Sequence, residues 1–362
     1  MIRARSHLNA VQPCPHGSIS RREMAERVGS SNEIIDFSAS CNPLGPSVDL
    51  KAVLEGLDIS RYPDNEGIAL KCAIAESLEI SPDWLVLGNG SVELIWLLAM
   101  AFLDQADKVL VVGPTFGEYA RACQIAGAAV DEYRASEDSD FQVDTYMLGQ
   151  LVSDMRPKLM FLCNPNNPTG RILTASQIER LLDYCRDTLL IVDEAYIPFS
   201  DEQPDLRSLL PGGKLLILRS MTKDHGLAGL RLGYAVAVPE IIGWLQRVRP
   251  PWNVNAVAQE AGLAALWEMR HVEEARATII ESRAFLVEQL SKMGLRVVPS
   301  VANFLLVRVG NGSSFRSELM NHGVCVRDCA SFGLPEYVRI GIRRMSDCQK
   351  LVWAIRKALF GD

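Results

Sequence analysis

The chain has 362 residues, 48% hydrophobic and 22% charged, and its 37 lysines and arginines against 44 aspartates and glutamates leave a formal charge of −7. This is ordinary for a soluble enzyme with a large core and room for two domains, and an acidic balance without any basic stripe argues against nucleic acid as a partner. No apolar run reaches the roughly 18 residues of a membrane helix, and no apolar stretch follows the basic start to make a signal peptide. The nine scattered cysteines read as reduced thiols of a cytoplasmic protein, with no second pair or histidine cluster to complete a metal site.

Residues 1–45 read as an N-terminal arm joining the smaller domain. It carries Pro13, Pro15, His16 and Gly17, a short helix-like run over 20–28, and an extended piece, IIDFSASCNPLGP at 34–46, ended by Asn42, Pro43, Gly45 and Pro46. Helices are expected over 49–57 and 68–79, with the loop RYPDNEG (61–67) between them. The middle of the chain alternates. WLVLGNG (84–90), KVLVVGP (108–114), KLMFLCNP (158–165), LLIVDEAY (189–196), KLLILRS (214–220) and LGYAVAV (232–238) are short runs rich in Val, Ile and Leu and bounded by Gly, Pro or Asn, as buried strands are. Helical patterns at 92–103, 116–127 and 175–187 separate several of them. Such alternation predicts a largely parallel sheet covered on both faces, with its site beyond the carboxyl ends of the strands. PPWNVNAVAQ (250–259) breaks the pattern, so 46–250 are expected to form a large domain and 251–362 a smaller α+β domain. The latter has helices over 267–293, 313–321 and 347–359, with strand pieces inside 295–309, 324–329 and 336–343.

The candidate chemistry sits at the strand ends. Gly88-Asn89-Gly90-Ser91 closes one strand and opens a helix, where free backbone N–H groups can bind an anion. Phe116, in PTFGEY, follows the next strand and could stack on a flat ring. The turn at 164–170, NPNNPTG, can present an amide rigidly. Asp193 ends an apolar strand, where a carboxylate is costly unless paired, and a pyridinium nitrogen is one suitable partner. Tyr196 lies three residues on. In LRSMTKDHGLAGLRLGY (218–234), Lys223 stands next to the hydroxyls of Ser220 and Thr222, with Arg231 eight positions beyond. An amine that can lose its proton, beside a phosphate cradle, suits pyridoxal 5'-phosphate, which carries both an aldehyde and a phosphate. Each signal also has an ordinary reading as a glycine turn, a core aromatic, a helix cap or a surface lysine. Their order along the chain is what favours the cofactor.

The motifs GNGSVEL, PTFGEY, NPNNPTG, DEAY, SMTKDHGLAGLRLGY and ANFLLV make almost the whole chain resemble the class I/II aminotransferase superfamily, the pyridoxal phosphate enzymes of fold type I. The resemblance implies an α/β large domain with a mainly parallel seven-stranded sheet flanked by helices, and a smaller α+β C-terminal domain. It implies that Lys223 bonds the cofactor aldehyde, that Asp193 pairs with the ring nitrogen, and that Asn167 and Tyr196 contact the ring oxygen. Gly90, Ser91, Ser220, Thr222 and Arg231 would hold the phosphate, and Phe116 would stack on the ring. Tyr62, in RYPD, would reach the cofactor phosphate of a neighbouring subunit, making a homodimer with shared sites. Arg339 would bind the substrate carboxylate.

Within that superfamily the chain is similar to the branch holding histidinol-phosphate aminotransferase and L-threonine-O-3-phosphate decarboxylase. His16-Gly17, the DFSAS-CNPLG segment with Ser40 and Asn42, PPWNVNA and VRDCASFG lean towards the decarboxylase, with His16 and Arg327 on the substrate phosphate. The DHGLAG run after Lys223 leans towards the aminotransferase. The expected activity is therefore decarboxylation of O-phospho-L-threonine to (R)-1-amino-2-propanol phosphate in cobalamin biosynthesis. The alternative is transamination of histidinol phosphate or a related phosphorylated or aromatic amine with glutamate. A regulatory domain fused to a DNA-binding module is disfavoured by the lack of a basic stripe.

Overall fold

The protein is seen in a computed structural model that describes residues 5–15, 19, 23 and 34–361. His16, Gly17 and most of the helix-like run over 20–28 lie outside the described residues. Among the described residues there are three strand sets: a seven-stranded sheet, a four-stranded sheet and a two-stranded parallel pair.

The large sheet runs in the order β2 (Leu85–Gly88), β8 (Gly233–Val236), β7 (Leu215–Ser220), β6 (Leu189–Asp193), β5 (Leu159–Cys163), β3 (Lys108–Gly113) and β4 (Ala129–Arg134). The five strands from β7 to β4 are parallel, and β8 runs antiparallel to both of its neighbours. β5 and β6 are buried at every position, which is why they read as unbroken apolar runs. β4, AVDEYR, was not among the six runs read from sequence. It is the edge strand, mostly exposed or half-exposed, so no apolar run marks it.

The helices before and within the sheet are α1 (Leu50–Glu55), α2 (Ile68–Ser77), α3 (Gly90–Phe102), α4 (Glu118–Ala126), α5 (Thr145–Met155), α6 (Ala175–Tyr184), the single turn α7 (Met221–Asp224) and α8 (Pro239–Val248). Their starts follow from local chemistry. Asp144 accepts from two N–H groups of α5, Thr174 and Gln177 form a reciprocal capping box on α6, and proline opens α8. Two cores lie on opposite faces of the sheet. One joins α2, α5 and α6 through Leu70, Ile74, Leu148 and Ile178; the other joins α3, α4 and α8 through Leu94, Leu98, Cys123 and Leu245.

Beyond the PPWN turn come α9 (Ala256–Ala265), α10 (Met269–Lys292), α11 (Gly312–Asn321) and α12 (Met345–Phe360). α9 buries Ala258, Ala261 and Ala265 in the same core as Leu70, whereas α10 buries Ala275, Ile279 and Leu286 against the smaller sheet. The smaller sheet is antiparallel, in the order β12 (Arg327–Asp328), β13 (Tyr337–Gly341), β10 (Phe304–Arg308) and β9 (Arg296–Val297). Its register sets Arg327 directly opposite Arg339. β1 (Ile35–Asp36) pairs with β11 (Val324–Cys325), which brings residues 34–38 to the small domain. Residues 6–10 instead lie on α4, where His7 Nε2 is 3.1 Å from the Ile125 carbonyl. Among the described residues no helix is long and apolar enough to cross a membrane.

Candidate active site

The strand ends of the large sheet open on a cavity of about 100 Å³. At one end of it α3 begins. Gly90 has φ +74°, and a Cβ there would stand 2.5 Å from Arg231 Nη2. Arg231 itself holds φ +62°, a conformation that costs an L-residue energy and persists only where the surroundings impose it. Beside it the Ser220 and Thr222 hydroxyls face each other at 2.6 Å. A guanidinium with no carboxylate partner among the described residues, two hydroxyls and a helix N-terminus form a cradle suited to a phosphate dianion. Gly90→Ala is expected to weaken pyridoxal phosphate binding by about tenfold or more, from the left-handed backbone and the collision with Arg231. Titration of the apoenzyme with the cofactor measures it.

At the far end, Asp193 closes β6 with 4% of its surface exposed. Its Oδ2 accepts from the Tyr119 hydroxyl at 2.7 Å and its Oδ1 from the Ala195 N–H at 3.0 Å. Burial pushes the Asp193 carboxyl above its usual range, while Tyr119, the Ala195 N–H and Lys223 pull it back. A cationic ring nitrogen at this position would favour the ionised form. Lys223 lies on α7, immediately after β7, with Nζ 5.8 Å from the centre of the Tyr196 ring. The turn after β5 is locked by its own amides: Asn164 Nδ2 donates to the Leu173 carbonyl and Asn166 Nδ2 to the Pro114 carbonyl. Asn167 projects from that turn, and its Oδ1 accepts from Arg339 Nη1 at 2.5 Å. Phe116, Asn167, Asp193, Tyr196, Lys223 and Arg231 thus border one cavity.

A second, wider cavity of about 360 Å³ adjoins the first and is faced by Arg327 and Arg339. Arg339 is 6% exposed, donates to the Ser38 carbonyl at 2.8 Å and lies 5.2 Å over the Phe304 ring. It has no carboxylate partner among the described residues, and a buried cation without an anion is costly. Arg327 donates to the Pro15 carbonyl and the Ser331 hydroxyl. Burial, and then the Arg339 charge, hold its pKa below the usual value. Two neighbouring guanidiniums facing one space call for an anionic substrate. Ser40 borders the same cavity with a buried hydroxyl that has no partner among the described residues.

Some expectations land elsewhere. Asn42 does not face either cavity: its Nδ2 donates to the Asp224 carbonyl and its Oδ1 accepts from the Leu44 N–H. It braces the loop that crosses the lysine turn, where its own N–H meets the Lys223 carbonyl at 2.9 Å. His225 has a place in the same brace, with Nδ1 3.2 Å from the Ser47 hydroxyl. Tyr62, expected to serve a neighbouring subunit rather than this chain's own cavity, is 78% exposed and stacks on Trp252 at 4.5 Å. His16 and Gly17 lie outside the described residues. Sequence reasoning missed Tyr119. It stands in the same PTFGEY motif as Phe116 but reads as one more residue of an amphipathic helix.

The chain matches the family described as Aminotransferase class I and II over residues 32–355. It is 36% identical to a histidinol-phosphate aminotransferase of Moorella thermoacetica over 346 residues, covering 93% of this chain and 88% of that one. It is 38% identical to one of Anaeromyxobacter over 335 residues, covering 90% and 91%. The solved L-threonine-O-3-phosphate decarboxylase of Porphyromonas gingivalis superposes with a TM-score of 0.80 at 28% identity, covering 90% of this chain and 99% of that one.

Proposed function

The chain belongs to the class I and II aminotransferases, pyridoxal phosphate enzymes of fold type I, and we propose that within this family it transfers an amino group between a phosphorylated amine of the histidinol phosphate type and glutamate. The relatives of 36% and 38% identity named for that reaction support it over the decarboxylase, which is a neighbour at 28%. The physical observation that fits it is the buried Arg339 guanidinium, which has no carboxylate partner among the described residues. A fork of donors suits the carboxylate of glutamate.

The residues divide the work. Gly90, Ser91, Ser220, Thr222 and Arg231 hold the cofactor phosphate. Asp193 pairs with the ring nitrogen, Asn167 and Tyr196 hold the ring oxygen, and Phe116 covers the ring. When bound, pyridoxal phosphate supplies an aldehyde for the substrate amine and a ring that withdraws electrons from it. Lys223 Nζ would hold the cofactor aldehyde and would carry the proton taken from the substrate carbon. Arg339 binds the glutamate carboxylate. Arg327, with Ser40, takes the phosphate of one substrate and the second carboxylate of the other. Tyr62, exposed on the surface, reaches into the site of a second copy, so the active enzyme is a homodimer.

The test is a product assay on histidinol phosphate, O-phosphothreonine and O-phosphoserine, each with 2-oxoglutarate. Glutamate should form fastest with histidinol phosphate, without CO2. Release of CO2 from O-phosphothreonine with no consumption of 2-oxoglutarate would establish the decarboxylase instead.

A further inference from the structure

Asp193 takes one hydrogen bond at each oxygen, and only one of them comes from backbone. The other is the Tyr119 hydroxyl, 2.7 Å from Oδ2 and contributed from 74 residues earlier in the chain. Tyr119 is 1% exposed, and its ring is held on two sides. It stacks on Phe161 at 5.2 Å and 16°, and meets Phe116 edge-on at 5.6 Å and 83°. The remaining polar neighbour is the buried Cys163 thiol, pushed up to about 12 by burial and then by the Asp193 charge. Burial first, and then Asp193, also raise the Tyr119 hydroxyl well above its usual range. Both groups therefore keep their protons at any working pH, and towards Asp193 the tyrosine can only donate.

We propose that Tyr119 is a positioning residue for the cofactor: its hydroxyl fixes one oxygen of Asp193 and keeps that carboxylate ionised and aimed at the cofactor's ring nitrogen. The inference rests on the pairing of Asp193 with that nitrogen given above. A carboxylate removed from water is stabilised as an ion by the donors it accepts from. The Ala195 N–H alone anchors one oxygen and leaves the other without a fixed partner. Tyr119 supplies that partner from a different strand connection, so α4 and β6 jointly set the direction of the charge. Phe116 shares the arrangement, since the ring proposed to cover the cofactor also packs on Tyr119.

The experiment compares pyridoxal phosphate with its deaza analogue, in which a CH group replaces the ring nitrogen. Both are titrated into the apo form of the parent and of Tyr119→Phe, which keeps the ring and its stacking. The parent should prefer pyridoxal phosphate by about tenfold or more, the size of one hydrogen bond to a charged group. In Tyr119→Phe that preference should fall by about tenfold, with the analogue affected less than about twofold. Each preference is a ratio read on the same folded fraction, so partial unfolding cancels. A variant that keeps the parental preference, or weakens both cofactors equally, overturns the inference while leaving the Asp193 pairing intact. A parent that shows no preference overturns the pairing, and the inference with it.

Discussion

Lys223→Ala is expected to lose the long-wavelength absorbance of the lysine-bound cofactor and to lower turnover on the order of 10⁴-fold or more, because nucleophile and proton carrier disappear together. The position explains why no neighbour substitutes. Lys223 sits on a single helical turn fixed by β7 on one side and by the 42–47 loop on the other, through the Asn42 N–H, the Asn42 amide and the Ser47 N–H. The basic groups beside it cannot take its place: His225 is buried against Ser47, and Arg231 and Arg339 are permanently charged guanidiniums. The phosphate cradle does not use the Lys223 amine, so the variant should still bind the cofactor without a covalent bond. Reduction with borohydride followed by mass analysis checks this. A covalent adduct persisting in the variant would refute the lysine assignment.

Arg339→Ala should cost glutamate about 30- to 4000-fold in kcat/KM, the effect of roughly 2–5 kcal/mol for removing one partner of a buried charge pair. Arg339→Lys should recover only part of this, since an ammonium cannot reproduce the fork that also reaches the Ser38 carbonyl and Asn167. A phosphorylated amine that lacks a carboxylate should be affected much less. Half-reaction rates with each substrate separate the two cases. Arg327→Ala should show the reverse bias, hurting the phosphorylated amine more than its dephosphorylated analogue. If both variants weakened both substrates equally, the division of anions between the two guanidiniums would be wrong.

How far the chain could be read depended on where each residue's partners lie. The buried strands β5 and β6 were legible because every position is apolar, and the lysine turn because its motif is continuous. β4 was invisible as an exposed edge, and α5, α8 and α9 were passed over between stronger signals. Asn42 shows the opposite failure. Its motif suggested a substrate contact, but two backbone groups take its amide. Short flanking segments lean towards the decarboxylase branch of the family. The relatives of 36% and 38% identity, weighed over nearly the whole chain, favour transamination.

By itself the sequence determined the alternating α/β architecture, the cofactor class and the order of Gly90, Asn167, Asp193, Lys223 and Arg231 along the chain. These are properties of contiguous segments: strand periodicity, a glycine that permits a left-handed turn, a lysine just past a strand. Only the tertiary structure decided that Tyr119 donates to Asp193, that Asn167 accepts from Arg339, and that Arg327 lies opposite Arg339 across paired strands. Those contacts join residues 74 and 172 positions apart in two of the three cases. The Arg327–Arg339 pair depends on strand register, since a one-residue slip would turn either side chain to the other face of the sheet, and the other two depend on where the chain carries α4 and the turn after β5.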